Sequence, residues 1–277
     1  MDSSPLLFTI QSSAPVKVEF DLEQGLLNNS SISSPFNCQA LGISSISEMN
    51  PQRYTAMGRS EVEGLMQLHQ KNGFLSKCSS DLWAVTFYPD EPIEAADIQP
   101  YSRPQRGSNC VFSMSGELPG IHDGERFPIG DQWPLSCNDQ ERAFCLLQER
   151  TRKLWKEGRP DHEMRLALMA DHAGRLDKLG LHNFIHWDGE MLFAYSSLNE
   201  GLEPLVYKQI SGRSIQLKGE LPLTITAEEN ADTLIVASRS LLNEGEMISP
   251  GSVLCFANGI YVDRCDPVTF WNTQDYF

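Results

Sequence analysis

Few residues in this chain have both the type and the setting for chemistry. Cys38 opens an apolar, strand-like run, Cys38-Gln39-Ala40-Leu41-Gly42-Ile43-Ser44, and Ser115-Gly116 closes another, Val111-Phe112-Ser113-Met114-Ser115. Asp139 stands at the start of a helical stretch, Arg103 and Arg106 lie among Pro104, Gly107 and Ser108, and His182 and His186 are four residues apart. A cysteine thiolate is a nucleophile, a carboxylate pairs with a cation, and an arginine grips a carboxylate. Each residue also has a plainer use. A free cysteine is commonly a core residue, Ser-Gly makes a strand-to-loop turn, and an aspartate at a helix start satisfies free N–H groups. The two arginines fit a solvent loop. The histidines fall in a strand-like stretch, which favours a core or surface pair over a metal site.

These residues are carried by recognisable elements. Val16-Lys17-Val18-Glu19-Phe20 alternates like a short strand, and the polar stretch from Asn28 to Pro35 reads as a linker. Residues 1–37 are therefore set apart as an N-terminal extension or propeptide, with one domain from 38 to 277. Strands are predicted over about 38–45, Trp83 to Tyr88 and Val111 to Ser115. Helices are predicted over Ser60 to Asn72, Asp139 to Trp155 and about Asp161 to Leu179. In the second helix, acids at the start and bases at the end suit the helix dipole. The last third is rich in strands, with Asp188-Gly189 and Asn258-Gly259 as turn signals. Strands at both ends with helices between them predict two sheets with helices on their outer faces.

With 277 residues, 40% of them apolar, the chain can support a sizeable core. A net charge of -15 and a pI near 4.8 argue against nucleic acid and anionic membrane as partners. Seven irregularly spaced cysteines argue for a reducing compartment over a disulfide framework. The N-terminus lacks the pattern of a signal peptide and no window suggests a membrane span, so a soluble, cytoplasmic protein is expected. The chain contains no Cys-x-x-Cys pair, phosphate-binding loop or dinucleotide-binding turn, so no metal or cofactor is expected.

Taken in order along the chain, several stretches resemble the class II glutamine amidotransferases, in particular their small stand-alone bacterial members. Cys38 to Ser44 is similar to their mature N-terminus, and Leu82-Trp83-Ala84-Val85-Thr86-Phe87-Tyr88 to their Gly-Trp-Gly strand. Ser113-Met114-Ser115-Gly116 falls where they carry His-Asn-Gly, and Asn138-Asp139-Gln140-Glu141 where they carry Ser/Thr-Asp-Ser/Thr-Glu. The resemblance implies an α+β fold, the four-layer αββα sandwich of N-terminal nucleophile hydrolases. It also implies site roles: Cys38 as nucleophile with its own α-amino group as base, Ser115 and Gly116 at the oxyanion position, and Asp139 with Trp83 at the substrate. Glutamine or another small amide would be the substrate.

Three departures alter that expectation. The amine at Cys38 is an amide unless the bond after Asn37 is cut. Ser115 replaces the oxyanion asparagine, a donor whose loss costs about 10²–10³ in rate. The strand that holds the arginine for the glutamine carboxylate finds no room between Tyr88 and Val111, and Ile98-Gln99-Pro100-Tyr101 already resembles a later family segment. Arg103 or Arg106 would have to substitute, or roughly 2–5 kcal/mol of pairing is lost. The expectation is an amidotransferase-like protein with impaired or lost glutaminase activity and a binding or regulatory role, for which a protein partner is a candidate. The alternatives are an active amidotransferase after removal of residues 1–37, or a related amidohydrolase acting on another amide. The aromatic tail from Phe270 to Phe277 is expected to pack on the domain or on a partner.

Overall fold

The computed structural model describes residues 4–20, 38–47, 50–72, 80–88, 94–212, 214–217 and 223–266. The tail beyond 266 and the 28–35 linker lie outside them. In chain order the first strands and helix are β1 (Leu6–Phe20), β2 (Ala40–Ser47), β3 (Asn50–Met57), α1 (Arg59–Asn72) and β4 (Ser80–Tyr88). Then come β5 (Tyr101–Gln105), β6 (Ser108–Gly116), α2 (Asp139–Leu154), α3 (His162–Leu176), β7 (His182–Trp187) and β8 (Met191–Tyr195). The remaining strands are β9 (Leu205–Ser211), β10 (Ser214–Leu217), β11 (Leu223–Thr226), β12 (Asp232–Ser238), β13 (Glu246–Met247), β14 (Val253–Ala257) and β15 (Ile260–Cys265).

These strands form two antiparallel sheets, in an α+β arrangement. The larger runs β13-β9-β12-β1-β4-β2-β3, with β11 on the far end of β1 and β10 on β11. The smaller runs β15-β14-β8-β7-β6-β5. Each sheet thus draws on distant parts of the chain. The clearest departure from the sequence reading concerns residues 1–37. Leu6–Phe20 is a full central strand of the larger sheet, paired to β12 on one side and β4 on the other. Its side chains explain why. Phe8, Ile10, Val16 and Val18 are buried on one face, while Leu7 packs on the other, so both faces of β1 are covered. A strand buried on both faces reads as a continuous apolar run, which hides the alternation that marks a half-exposed strand.

Among the described residues, the three largest of four apolar clusters hold the elements together. Val62 of α1 packs with Phe8, Ile10, Trp83, Val85 and Phe87 on the outer face of the larger sheet. Leu7, Leu82, Leu234 and Val236 of that sheet meet Val111, Ile185, Leu192 and Phe256 of the smaller one. Phe144, Leu147, Met169 and Ala173 of α2 and α3 cover Phe112, Phe184, Phe193 and Tyr195. Burial of each such side chain contributes about 1.5–3 kcal/mol before entropy is counted. α2 starts at Asp139 as expected, and the other two helices start within a residue of expectation. Asn138, not Asp139, caps α2, accepting from Glu141 N at 2.7 Å, and Asp161 caps α3, accepting from Met164 N at 2.9 Å. α1 begins at Arg59, so Ser60 lies inside it and is not its cap.

Candidate functional site

The predicted site residues have different surroundings. Ser115 and Gly116 end β6. Phe112 and Met114 of that strand face the helices, so Ser113 and Ser115 alternate toward the larger sheet, where Thr86 donates to Ser113 at 3.3 Å. Gly116 has a φ of 98°, and an added Cβ would lie 2.1 Å from Leu181 O, so glycine is required there. Its carbonyl accepts from Gln140 Nε2 at 2.7 Å. Asp139, one residue earlier on α2, accepts from Leu118 N at 2.7 Å and contacts His122 Nε2 at 3.0 Å. Ser115, Gly116 and Asp139 thus share one polar corner, and the Asp139 carboxylate already holds two partners within the chain.

Cys38 and Trp83 belong elsewhere. Cys38 is 1% exposed and packs in the cluster of Leu41, Ile43, Val62, Trp83 and Phe87, on the α1 side of the larger sheet. Trp83 lies in the same cluster and donates from Nε1 to Val16 O at 3.3 Å, tying β4 to β1. Burial pushes the Cys38 thiol up to about 12, with a backbone hydrogen bond a smaller, opposing influence. The rise disfavours the thiolate at neutral pH, and the thiolate is the reactive form.

The two arginines have different surroundings again. Arg103 lies on the helix side of the smaller sheet, over the Phe144 ring at 6.0 Å, ion-paired with buried Glu141 and donating to Trp133 O at 2.9 Å. Arg106 is exposed at the β5–β6 turn with a φ of 52°, followed by Gly107 at 83°. Arg103 is thus engaged by Glu141, and Arg106 stands in solvent at the turn between two strands of the smaller sheet.

The segment between β4 and β5 packs on β2 and β6. Between Tyr88 and Tyr101 the described residues hold only a short 3-10 turn, Ala95–Asp97. The next residues cross the inner face of β2, where Gln99 O lies 1.6 Å from the position a Cβ on Gly42 would occupy. Gln99 N donates to Tyr88 OH at 2.8 Å, the Gln99 side chain bonds both N and O of Met114, and Arg53 donates to Ile98 O. Asn138 links this segment to α2 through Asp97 at 2.9 Å. Sequence reasoning quoted Asn138 and Glu141 only as part of a motif and passed over His122; the roles of all three depend on partners in other elements. The Asn-x-x-Glu spacing at 138–141 was the one local signal that could have found the cap. No group of three or more metal-ligating side chains occurs among the described residues, and no described helix is long and apolar enough to cross a membrane.

The fold is shared with known proteins. A predicted glutamine amidotransferase of Pseudomonas aeruginosa superposes with a TM-score of 0.69 at 17% identity, covering 93% of this chain and 99% of that one. The glutamine phosphoribosylpyrophosphate amidotransferase of B. subtilis gives 0.57 at 15% identity, over 95% of this chain and 49% of that one. A glutamine aminotransferase class-II domain protein of Silicibacter pomeroyi gives 0.54 at 13%, over 94% and 98%. At these identities the likeness is one of fold. No curated protein matches the sequence. The sequence profile of the class II glutamine amidotransferases matches residues 85–275, and the chain belongs to that family. The match includes Arg103, Arg106, Ser115, Gly116 and Asp139 and begins after Cys38 and Trp83.

Proposed function

We propose that this chain is a class II amidotransferase-like protein with the four-layer αββα sandwich of N-terminal nucleophile hydrolases, whose glutaminase chemistry is impaired or lost. It serves a binding or regulatory role in the cytoplasm. The observation that carries this reading is the burial of Cys38 in the apolar cluster under α1, with its thiol pushed up to about 12. A thiol held protonated in an apolar cluster is poorly suited to attack an amide. The engagement of Arg103 by Glu141 and of Asp139 by Leu118 N and His122 supports the same reading.

Intact mass of the purified full-length chain, before and after 6-diazo-5-oxo-norleucine, tests it. The expected result is a full-length mass, no adduct and no ammonia released from glutamine. Loss of residues 1–37 with one adduct on Cys38 would overturn it in favour of a working amidotransferase, and an acyl adduct from another amide would favour an amidohydrolase. A chain begun at Cys38 provides a further arm. It lacks β1, which leaves β4 and β12 without their shared neighbour, and we expect it to be insoluble.

A further inference from the structure

The loop from β6 to α2, residues 117–138, exposes two large apolar side chains, Trp133 at 79% and Leu135 at 83%. Single exposed apolar residues are ordinary, but these two stand on a backbone that α2 holds fixed. Glu141, 2% exposed, accepts from Leu135 N and Ser136 N, each at 2.8 Å, and from Ser136 Oγ at 3.1 Å. Arg103, paired to that carboxylate, donates to Trp133 O at 2.9 Å. At Gly130 the Glu149 carboxylate carbon lies 2.5 Å from where a Cβ would stand, so the loop also rests against the helix there. Arg142 donates to Ile121 O at 2.6 Å and to Phe127 O at 3.1 Å. Loops of this length without secondary structure are uncommon and usually functional. One braced along its length has met the entropy of ordering before any partner arrives.

We propose that Trp133-Pro134-Leu135 is a docking knuckle that inserts into an apolar pocket, rimmed by Lys or Arg, on a different protein. Tryptophan is the side chain most enriched among residues that dominate binding energy. Charge selects the partner. Residues 117–138 carry Glu117, Asp123, Glu125 and Asp131 against Arg126, four acids less one base, or -3, and the whole chain carries -15. Nucleic acid, an anionic bilayer and a second copy of the chain all present the same sign, whereas a basic rim attracts it. The knuckle supplies a surface for the binding role proposed above and rests on that reading only for the existence of a partner.

The test replaces Cys137, exposed beside the knuckle, with a photo-crosslinking amino acid in the full-length chain and irradiates the cells that make it. The expected result is one heterologous protein whose purified form binds the full chain. Its Kd should rise at least 30-fold with Trp133→Ala plus Leu135→Ala, weaken with salt, and be unchanged with Met164→Ala, an exposed apolar residue of α3. Glu141→Gln should speed hydrogen exchange at 133–136 and lower affinity with both anchors present. Crosslinks only to further copies, only to lipid, or to nothing would overturn the proposal, as would a partner indifferent to the double substitution. Ammonia release from glutamine, measured on the same samples, tests the earlier reading separately.

Discussion

His172 on α3 and His182 and His186 on β7 are buried together against Phe112, Phe144, Phe184, Phe193 and Tyr195, and none of their Nε2 atoms has a hydrogen-bond partner. Burial pushes His182 and His186 down to about 4, and holds His172 well below its ordinary value, with Arg150 and the other two rings adding to the effect. Around them Asp171 pairs with Arg150 and Arg175, and Asp177 accepts from Tyr195 OH. The unfolded chain takes up these protons near pH 6.5 while the folded one does not, so the stability is full above that value and is lost as pH falls toward 4. At pH 5 the loss is about 2 kcal/mol for each of His182 and His186. Urea titrations at pH 7 and pH 5 should show a lower midpoint at pH 5, and His186→Phe should flatten the difference. Asp177 and Asp188, both raised by burial, oppose the trend, because they favour the folded state more when protonated. A midpoint that does not fall would contradict the burial of these rings. The sequence marked His182 and His186 as a strand pair, since their spacing is local. His172 joins them only through the packing of α3 on β7.

Gly42 shows how one element can limit another. On β2 it faces Gln99, whose carbonyl oxygen and carbon lie 1.6 and 2.6 Å from where an added methyl would stand, so the clash is with backbone. Gly42→Ala should therefore cost about 3 kcal/mol or more, at the upper end for overpacking, where a flexible neighbour would cost less. Thermal melts of the two chains would measure it, and a loss under about 1 kcal/mol would mean that segment 97–100 does not cross β2 there. The helices were legible because α2 carries its own signals: Asp139 and Glu141 in the first turn, Arg152 and Lys153 in the last, and Phe144 and Leu147 on the buried face. β1 was legible only in its second half. Leu6 to Ile10 is largely apolar, a pattern that a terminal extension and a strand covered on both faces share.

Across the whole molecule the charge of -15 places like charges close together on a compact surface. Screening should relieve that repulsion, so raising NaCl from about 20 mM to about 0.5 M should raise Tm by about 2–4 °C, equivalent to roughly 1 kcal/mol. A falling Tm would mean that exposed pairs such as Lys208–Glu244 outweigh the net repulsion. The sequence by itself determined what depends on neighbouring residues and on order along the chain: the amidotransferase resemblance, the three helices, most strands, and the charge. The tertiary structure alone decided which residues meet. Leu7 N donates to Ser238 Oγ across 231 residues, and Arg103 finds Glu141 across 38. Cys38, the expected nucleophile, packs with Val62, Trp83 and Phe87, because a strand's two faces alternate and only its partners fix which one is covered by helix and which by sheet.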